Sequence, residues 1–590
     1  MNTSTYQTKW SSLQTKLVSK FSLLFVILCS VSLISSRAAQ DSRNNEDPLI
    51  FAYCFGPDLT PGLAANCVNR LGVTASKDGH RRFGFSTQIC ILQQATEKTV
   101  EYVNDALRAA DETGAPVVIR LMGDRFWDNR PELWNWWAPD QPGYNPENIN
   151  NVEWYGWGKE KAVKMTWVKW GPTRWIPLTP GPNLASPAFI ASNKKELDVL
   201  VPIIVKWYRN LPENRKYLFG GLVFGWEMQA DHLGAFYAGH ETEDIFSWKK
   251  RPETDRPETI GAPLQLGFAA ATTLGLQGGK GATLRDDTVA SIMRYYFDSL
   301  ADIAVAHGIP PHKIMLHGVG SGIKNHGTLL KKHPEAIPGW STYNAQPLTF
   351  DYIIDSRGDQ GWNAIEFGGI MAIDRLENYY RHGCKVINLY HRDAHRAAIN
   401  NRTVRQWLGY PEKGNDPLTL PYTNGFEADL KGWTGCSEKW PIQRSNKVAC
   451  KGTWSLFTGP NCAGDLVFFD EPRPAIVEYY FLNSLEPGAS GLADFRGDGD
   501  PRIRLNMEGG FIKCQNVGAK TQTILKLEKG WHQVRSVFDG KEAKIFVDGK
   551  LFATDPGMAK VREMTVGMYW NLGTGLYWDD FSVSPYEDGK

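Results

Sequence analysis

The sequence predicts an α/β fold: a (β/α)8 TIM barrel followed by an all-β jelly-roll sandwich. Over residues 48–410, short apolar runs alternate with longer amphipathic segments, which is typical of βα units around a parallel sheet. Over residues 425–590, short runs are instead separated by Gly and Asn turns, as in an all-β domain. The chain has 590 residues, too many for one core, and the polar, Pro-rich stretch 411–424 is the expected linker.

Eight apolar runs are candidates for barrel strands, and eight is the number that closes a (β/α)8 barrel. The clearest helix between them spans residues 98–113, where Val103, Leu107 and Ala110 share one face. A doubly wound sheet is the alternative, but no Gly-rich phosphate loop follows the first run. The candidate strands are 49–55, 85–92, 116–122, 221–228, 313–319, 340–344, 363–367 and 385–390, and the other candidate helices are 195–209 and 288–307.

The N-terminus has the composition of a secretory signal peptide. Three lysines precede an apolar stretch at 21–34, and Ser36 and Ala38 are small residues at the positions that signal peptidase reads. We expect residues 1–39 to be removed and the mature protein to be secreted, periplasmic or attached to the cell surface. An uncleaved anchor is the alternative. No second apolar run has the length of a membrane span, so we expect no membrane insertion after cleavage.

The cysteine count and the net charge limit the choice of partners. Without the signal segment, eight cysteines remain, an even number that favours disulfide bonds in an exported chain. Four lie in the predicted barrel and four in the predicted sandwich, so each domain is able to pair its own. A zinc site is the alternative, but no Cys-x-x-Cys pair occurs, and we expect no metal. Export and a net charge of +1 both argue against nucleic acid.

Long insertions are expected after the third and fourth strands, and the first of them is rich in tryptophan. Nine tryptophans lie within residues 127–175, a segment that we interpret as loop and hairpin. They form either an aromatic core or flat faces on which sugar rings stack, and Trp137 and Trp157 are the candidates for such faces. Basic residues interleave with the aromatics over 154–175, a pattern that would suit an anionic polysaccharide, sulfated or uronic. A solvated hairpin is the alternative.

Two glutamates end apolar runs, Glu227 the fourth run and Glu366 the seventh. A carboxylate at the end of a buried strand is costly unless it is paired or used. The C-terminal ends of barrel strands open on the active site. Glycoside hydrolysis needs two carboxyl groups on either side of one bond, so the pair points to that chemistry. For each glutamate, a structural salt bridge is the alternative.

The two strand-end glutamates resemble those of clan A of the retaining glycoside hydrolases, which are (β/α)8 barrels. The resemblance implies that Glu227, at strand four, is the acid/base and that Glu366, at strand seven, is the nucleophile. It also implies that Tyr343, in the sequence WSTYN, hydrogen-bonds the nucleophile, and that His317, at strand five, contacts the substrate or the acid/base. Many clan members have asparagine, which helps to hold the sugar 2-hydroxyl, where this sequence has Trp226.

Further polar residues follow the third and eighth strands and are candidates for substrate binding. Arg120 and Asp124 come with the third strand, and His391 comes after the eighth. Together with Trp226, they would line the cleft at the C-terminal face of the barrel. A structural ion pair is the alternative for Arg120.

The C-terminal region resembles concanavalin A-like sandwiches of the laminin G type. The motifs are GWHQV from residue 530, IFVDGK from residue 545 and YWDDFSV from residue 577. The sequence VDGK predicts a two-residue hairpin. Such domains bind sugars, bind proteins or only pack against a neighbour, so the fold does not indicate which of these it does.

We therefore expect an exported retaining glycosidase that acts on a poly- or oligosaccharide without a metal or organic cofactor. Glu227 would protonate the leaving oxygen while Glu366 attacks the anomeric carbon, and water would then resolve the covalent intermediate. Two alternatives stay open: a non-catalytic carbohydrate-binding or adhesion protein with a degenerate barrel, and an inverting hydrolase. Retention requires carboxyl groups about 5–5.5 Å apart, and inversion requires about 6.5–9.5 Å.

Overall fold

A computed structural model shows a closed barrel of eight parallel strands. The strands follow one another around the ring in chain order, and the eighth pairs with the first through Val386 and Ile50. This confirms the predicted parallel barrel. The barrel strands are Leu49–Cys54, Arg81–Ser86, Val117–Met122, Phe219–Met228, Ile314–Gly318, Gly339–Thr342, Trp362–Phe367 and Cys384–Leu389. The structure describes residues 47–124, 126–169, 175–228, 236–238, 244–250, 264–276, 283–318, 336–342, 361–367, 373–390, 403–410, 417–435, 442–459, 462–469, 471–485, 489–497, 502–516, 521–568 and 575–587.

The second strand differs most from its prediction. The run 85–92 was expected to be continuous, but the strand is Arg81–Ser86, and a separate two-residue strand, Ile89–Cys90, pairs with the third barrel strand. The strand begins with Arg81 and Arg82, and two charged residues do not belong to an apolar run. Both have partners: Arg81 forms a salt bridge with Glu377, and the guanidinium of Arg82 lies 3.4 Å from the ring centroid of Tyr217.

Within the described residues, helices follow the first four strands, the seventh and the eighth. The helix expected at 195–209 begins earlier, at Pro187, because Ser186 caps it: its Oγ accepts the Phe189 backbone N–H at 3.3 Å. The α-helices are Pro61–Leu71, Thr96–Thr113, Pro131–Trp134, Pro187–Asn210, Ile245–Lys249, Phe268–Thr273, Asp286–His307 and Ile373–Arg381, and residues 403–407 are helical as well. The 3-10 helices are Gly56–Asp58, Pro146–Asn150, Lys159–Lys161, Glu213–Leu218 and Pro311–Lys313.

Alternation along the barrel strands separates two apolar clusters. Outward-facing residues such as Phe51 and Ile119 join the large core formed with the helices. The second apolar cluster fills the barrel interior. Close packing around this interior requires glycine at the start of the sixth strand, since a Cβ on Gly339 would lie 2.5 Å from Ile365 Cγ1. The second cluster consists of Ile50, Ala52, Val118, Val223, Met315, Ile365 and Val386.

The insertions after the third and fourth strands meet in a small antiparallel sheet. Thr166–Lys169 and Trp175–Leu178 form the expected hairpin, and Phe236–Ala238 from the second insertion adds a third strand. Much of the tryptophan-rich segment is core, which supports the first of the two interpretations for these side chains. The buried tryptophans of the segment are Trp127, Trp134, Trp154 and Trp167.

Two antiparallel sheets make up the C-terminal region, consistent with a β-sandwich. In one sheet the order is Gln443–Ser445, Ser455–Thr458, Leu576–Pro585, Ala475–Asn483, Gly530–Phe538, Ala543–Val547 and Lys550–Asp555, and Tyr422–Asn424 also pairs with Leu576–Pro585. In the other sheet the order is Trp433–Gly435, Cys462–Val467, Glu563–Met568, Ser490–Arg496, Arg502–Glu508, Phe511–Asn516 and Thr521–Lys526.

The C-terminal region has a core of its own. Buried and half-buried residues alternate along Ala475–Asn483, and the buried set belongs to a cluster that is separate from the barrel core. The predicted hairpin is present: Asp548 and Gly549 have φ values of 49° and 75°, and Val547 pairs with Lys550. Positive φ at both central residues matches the twist of the flanking strands.

Two further expectations concern cysteines and membrane spans. No disulfide bond joins the seven cysteines that the structure describes, so the predicted disulfide pairing is not seen in these parts of the chain. The predicted signal segment 1–39 lies outside the described residues. In the parts of the chain that the structure covers, no helix is both long and apolar enough to cross a membrane.

A buried carboxyl group links the two insertions. Glu153, in the first insertion, accepts backbone N–H groups from Gly267 at 2.9 Å and Ala269 at 3.2 Å, both in the second insertion. Its other oxygen, Oε1, is buried without a hydrogen-bond partner among the described residues. Burial raises the pKa of Glu153 to about 7, against the lowering effect of the backbone N–H donors. The carboxyl is therefore protonated in the folded protein at mildly acidic pH.

Glu153 should make the stability of the barrel depend on pH. Between its ordinary value of 4.5 and about 7, the folded protein holds a proton that the unfolded chain releases. The contribution of Glu153 to the free energy of unfolding is therefore fully present below pH 4.5. It is lost as pH rises through 7, and the total loss is roughly 3 kcal/mol. Glu153→Gln should remove this slope, as measured by denaturant unfolding at pH 4.5, 6 and 8. The exposed Glu160→Gln is the control, and an unchanged slope in Glu153→Gln would contradict the assignment.

Candidate active site

A ring of polar side chains lies at the C-terminal ends of the barrel strands, one step beyond the apolar interior. Alternation places Cys54 two residues after Ala52, Arg120 after Val118, and His317 after Met315. The side chains are buried and contact one another across the barrel. We call this set the mouth ring, and it consists of Cys54, Ser86, Gln88, Arg120, His317, Ser341, Glu366 and Asn388.

Arg120 is the centre of the mouth ring. Its guanidinium is fully buried and lies 3.4 Å from Glu366 Oε2, 3.3 Å from His317 Nδ1, and 3.5 Å from both Cys54 Sγ and Gln88 Oε1. Burial alone would lower the pKa of Arg120, but the neighbouring Cys54 and Glu366 raise it above its ordinary value. The guanidinium therefore keeps its charge and draws acceptors from several strands.

The contact with Arg120 fixes the tautomer of His317. A guanidinium only donates hydrogen bonds, so Nδ1 of His317 must accept, and the proton must be on Nε2. Nε2 lies 2.9 Å from Ser341 Oγ and donates to it. His317 is consequently a neutral link between the third strand and the sixth, and its two ring nitrogens are both engaged.

Glu366 lies in a bulge of the seventh strand. The register with the sixth strand shifts so that Trp340 faces Ala364 while Ser341 faces Glu366. Bulges redirect side chains and are frequent beside active sites. The Glu366 side chain is buried, and its Oε2 accepts N–H groups from Arg120 and from the indole of Trp226 at 3.1 Å. Donors of this kind favour the ionised carboxylate.

Glu227 lies in a second bulge, at the end of the fourth strand. The register with the fifth strand shifts between Phe224 and Met228. Gly225 has φ 84°, and a Cβ there would approach Phe297 Cε1 to 2.7 Å. Glu227 itself has φ 49°, a left-handed conformation that costs a non-Gly residue roughly 1–2 kcal/mol. The half-buried Glu227 side chain is thus directed by a strained backbone rather than by the regular alternation of the strand.

Asp124 and Trp226 connect this bulge to the rest of the site. The backbone N–H of Trp226 donates to Asp124 Oδ2 at 2.8 Å. The Trp226 indole reaches Glu366, and its ring packs on Phe126 with centroids 5.3 Å apart. The third, fourth and seventh strands are therefore joined by side chains that the sequence had assigned separately.

The residues predicted from sequence fall into three groups. Arg120, Asp124, Trp226, His317 and Glu366 are brought together by direct contacts, and Glu227 follows Trp226 in the same bulge. The second group, Tyr343 and His391, lies outside the described residues.

The third group is the pair of tryptophans in the first insertion. The half-buried Trp137 packs against the rings of Trp134 and Phe246, and its indole donates to Asp244 Oδ1 at 3.2 Å. Trp157 is 36% exposed and meets Phe268 edge to face. Trp157 is therefore partly accessible to solvent, whereas much of Trp137 is engaged by the protein.

Sequence reasoning missed several members of the mouth ring. Cys54 and Ser86 end the first and second strands, and Asn388 lies in the eighth, where Ser86 Oγ donates to its Oδ1 at 2.6 Å. Gln88 and Ser341 are also absent from the predictions. Position was a signal for Cys54 and Asn388, which lie near the C-terminal ends of the candidate strands 49–55 and 385–390, where polar residues face the barrel mouth. The other three gave no such signal, because the candidates 85–92 and 340–344 place them at the start or in the middle of a strand.

The described residues suit acid–base and nucleophilic chemistry by carboxylates. Glu366 is buried, held by two N–H donors and favoured as an anion, while Glu227 is half-buried at the end of another strand. Within the described part of the chain, no group of three or more His, Cys, Asp or Glu side chains is arranged to hold a metal ion.

Comparisons with known proteins give only partial likenesses. No family model matches the chain, and no curated protein matches it. A solved structure titled "Cellulose induced protein, Cip1" is similar at 12% identity and a TM-score of 0.23, over 29% of this chain and 99% of that one. A structure titled "Sialidase" is similar at 13% identity and a TM-score of 0.21, over 26% of this chain and 17% of that one.

Galectin LEC-6 of Caenorhabditis elegans is similar at 14% identity and a TM-score of 0.18, over 22% of this chain and 94% of that one. Likenesses at these identities and TM-scores carry no argument about function. The functional argument for this chain therefore depends on its own residues.

Removing the buried charge of Arg120 should destabilise the barrel strongly. In Arg120→Met, Glu366 keeps a buried carboxylate but loses a cationic donor, a change expected to cost about 3–5 kcal/mol. Adding Glu366→Gln should recover part of this loss, because the two residues are coupled. Denaturant unfolding followed by helical circular dichroism reports on the barrel region, which holds the described helices.

Arg215→Met is the matched control for this experiment. Arg215 pairs with Asp111 at 3.6 Å, and the two side chains are 39% and 41% exposed, so water is able to solvate the carboxylate that is left. Arg120→Met should cost clearly more than Arg215→Met. Equal losses would show that the Arg120 charge does not organise the mouth ring.

Proposed function

We propose that the chain is an exported glycoside hydrolase that cleaves a poly- or oligosaccharide with retention of configuration. The observation that carries the proposal is the placement of Glu227 and Glu366 in bulges that end the fourth and seventh strands of a closed parallel barrel. Regular strands would have continued the alternation, whereas both bulges redirect a carboxyl group at the barrel mouth. Two carboxyl groups at one mouth are the minimum that glycoside hydrolysis needs.

The surroundings of the two carboxyl groups support different roles for them. Glu366 receives N–H donors from Arg120 and Trp226, which favours an anion, as a nucleophile requires. Glu227 has an intermediate exposure, which suits a group that exchanges protons with a leaving oxygen and later with water. Glu366 attacks the anomeric carbon, the Glu227 proton passes to the leaving oxygen, and water then cleaves the glycosyl ester while Glu227 takes back a proton.

Parts of the first insertion support an anionic substrate. Trp157 is exposed, and two ammonium groups lie over aromatic rings of the same segment: Lys161 at 5.3 Å from the centroid of Tyr155, and Lys164 at 5.5 Å from that of Trp136. Sugars carry apolar faces that stack on indoles, and sulfate or carboxylate substituents seek cations. We therefore propose a sulfated or uronic polymer as the substrate class.

The proposal includes the domain organisation and the export of the chain. We assign residues 48–410 to the catalytic domain, 411–424 to a linker, and 425–590 to a concanavalin A-like sandwich that assists with the polymer. The basic and apolar N-terminus supports export by a signal peptide over residues 1–39. A secreted, periplasmic or surface location gives the enzyme access to extracellular polymers.

Glycosidase activity should depend on both glutamates. Mature protein is offered a panel of neutral, uronic and sulfated polysaccharides, beside Glu227→Gln and Glu366→Gln. We expect release of reducing sugar by the wild type on an anionic polymer. Each variant should lose about 10²–10⁴-fold or more in rate, since each removes a proton donor or a nucleophile. Proton NMR of the first products should show the retained anomer.

The outcomes separate the proposal from its alternatives. An inverted first product would indicate an inverting hydrolase and remove Glu366 from the role of nucleophile. Release that survives both substitutions would mean that other residues catalyse the reaction. Binding of a polymer without release, by a wild type that is folded, would indicate a non-catalytic carbohydrate-binding protein. Glu112→Gln, at an exposed site on the helix Thr96–Thr113, controls for loss of charge alone.

A further inference from the structure

Glu227 adopts a conformation that its own strand does not enforce. The ladder to the fifth strand is interrupted between Phe224 and Met228, so the intervening residues lack regular strand pairing. Both Gly225 and Glu227 have left-handed backbone conformations. A strained segment persists only where its surroundings hold it. The hydrogen bond from the Trp226 backbone N–H to Asp124 Oδ2, at 2.8 Å, is such a restraint, and it comes from beyond the third strand.

The same tryptophan acts on the second carboxyl group. Trp226 Nε1 donates to Glu366 Oε2 at 3.1 Å, a shorter contact than the 3.4 Å to Arg120. The Trp226 residue is only 7% exposed, and its ring is packed on Phe126. The indole nitrogen of Trp226 is a donor only, and the acceptor that it contacts is the Glu366 carboxylate. One residue thus joins the Glu227 bulge through its backbone and Glu366 through its side chain.

We propose that Asp124 and Trp226 form a positioning relay that fixes Glu227 relative to Glu366 and keeps Glu366 ionised. Asp124 is a positioning residue, because it acts through the Trp226 backbone. Trp226 is a positioning residue as well, because its indole N–H is spent on a protein carboxylate rather than on substrate. This differs from the substrate contacts that the sequence suggested for both residues, and it rests on the proposed glycosidase function for its kinetic consequences.

Other titratable or charged groups belong to the network of contacts and charges around Arg120, Asp124 and Glu366, and Trp226→Phe leaves all of them unchanged. They lie on or directly after the first, third, fourth, fifth and eighth strands and on the helix that precedes the fifth strand. Tyr296, on that helix, has a pKa raised well above its ordinary value, first by burial and then by the Asp124 carboxylate. The groups are Cys54, Arg120, Asp124, Glu227, Tyr296, His317 and Tyr390.

The first test is Trp226→Phe, which keeps an aromatic ring on Phe126 and removes the N–H. We expect kcat to fall about tenfold or more, the size of one lost charge-assisted hydrogen bond. KM should stay within about threefold, because no substrate contact is removed. The acidic limb of the pH–rate profile should move up by about one unit, while the alkaline limb stays in place.

Trp207→Phe is the matched control. The Trp207 indole also donates to a carboxylate, Asp111 Oδ2 at 2.9 Å, but on the outer helices of the barrel. Its pH–rate profile should coincide with that of the wild type. A general loss of stability from losing an indole would affect both variants, whereas only a relay moves one limb of the profile in Trp226→Phe alone.

Asp124→Asn and Asp124→Ala test the other half of the relay. Asparagine keeps an oxygen that accepts the Trp226 N–H, while alanine removes it. Both variants lose the same negative charge, so the difference between them reports on the lost acceptor. The expected order of kcat is wild type, then Asp124→Asn, then Asp124→Ala, with the acidic limb higher in Asp124→Ala than in Asp124→Asn. Equal kcat values, or coincident acidic limbs, in the two variants would overturn the role of Asp124.

A carboxylate titration separates failure of the relay from failure of the proposed function. In protein labelled with ¹³C at the glutamate carboxyl carbons, Glu366→Gln identifies the Glu366 signal, and its titration needs no turnover. In Trp226→Phe, the signal should titrate about one pH unit higher. An unmoved signal overturns the relay even if both glutamates prove essential. A moved signal supports it even if the polysaccharide panel yields no product.

Discussion

A guanidinium buried at the mouth of the barrel sets the conditions that the rest of the site must meet. Arg120 is not able to shed its charge, so burial obliges the neighbouring strands to supply acceptors. Cys54, His317 and Glu366 come from the first, fifth and seventh strands, and Gln88 follows the second. The charge dictates the tautomer of His317 and favours the anion at Glu366, so the local chemistry follows from one electrostatic requirement.

The two bulges at the strand ends are the second feature on which the site depends. A regular parallel ladder places alternate residues inside the barrel, and this serves the apolar layer formed by Ile50, Val118 and Met315. Beyond that layer, the ladder is interrupted at Glu227 and again at Glu366. The regular backbone pairing between neighbouring strands stops at these points, and side-chain contacts join the strands instead. The apolar interior supplies the stability that allows the mouth to be irregular.

The first insertion shows why aromatic composition is ambiguous on its own. Trp127 and Trp167 are buried within the protein, whereas Trp157 is 36% exposed. The same residue type in the same segment is either core or partly exposed, depending on which elements pack against it. Glu153 contributes to that arrangement, because its carboxyl accepts N–H groups from Gly267 and thereby ties one insertion to the other.

The sequence by itself determined seven of the eight barrel strands, the long helices in outline and the strand-end positions of Glu227 and Glu366, because apolar periodicity is a local property. It misplaced the second strand and the start of the helix at Pro187, where charged residues and a Ser186 cap obscured the pattern. Only the tertiary structure decided the contacts of the mouth ring. Arg120 and Glu366 are 246 positions apart, and their meeting depends on closure of the ring and on the register of neighbouring strands, which no local pattern records.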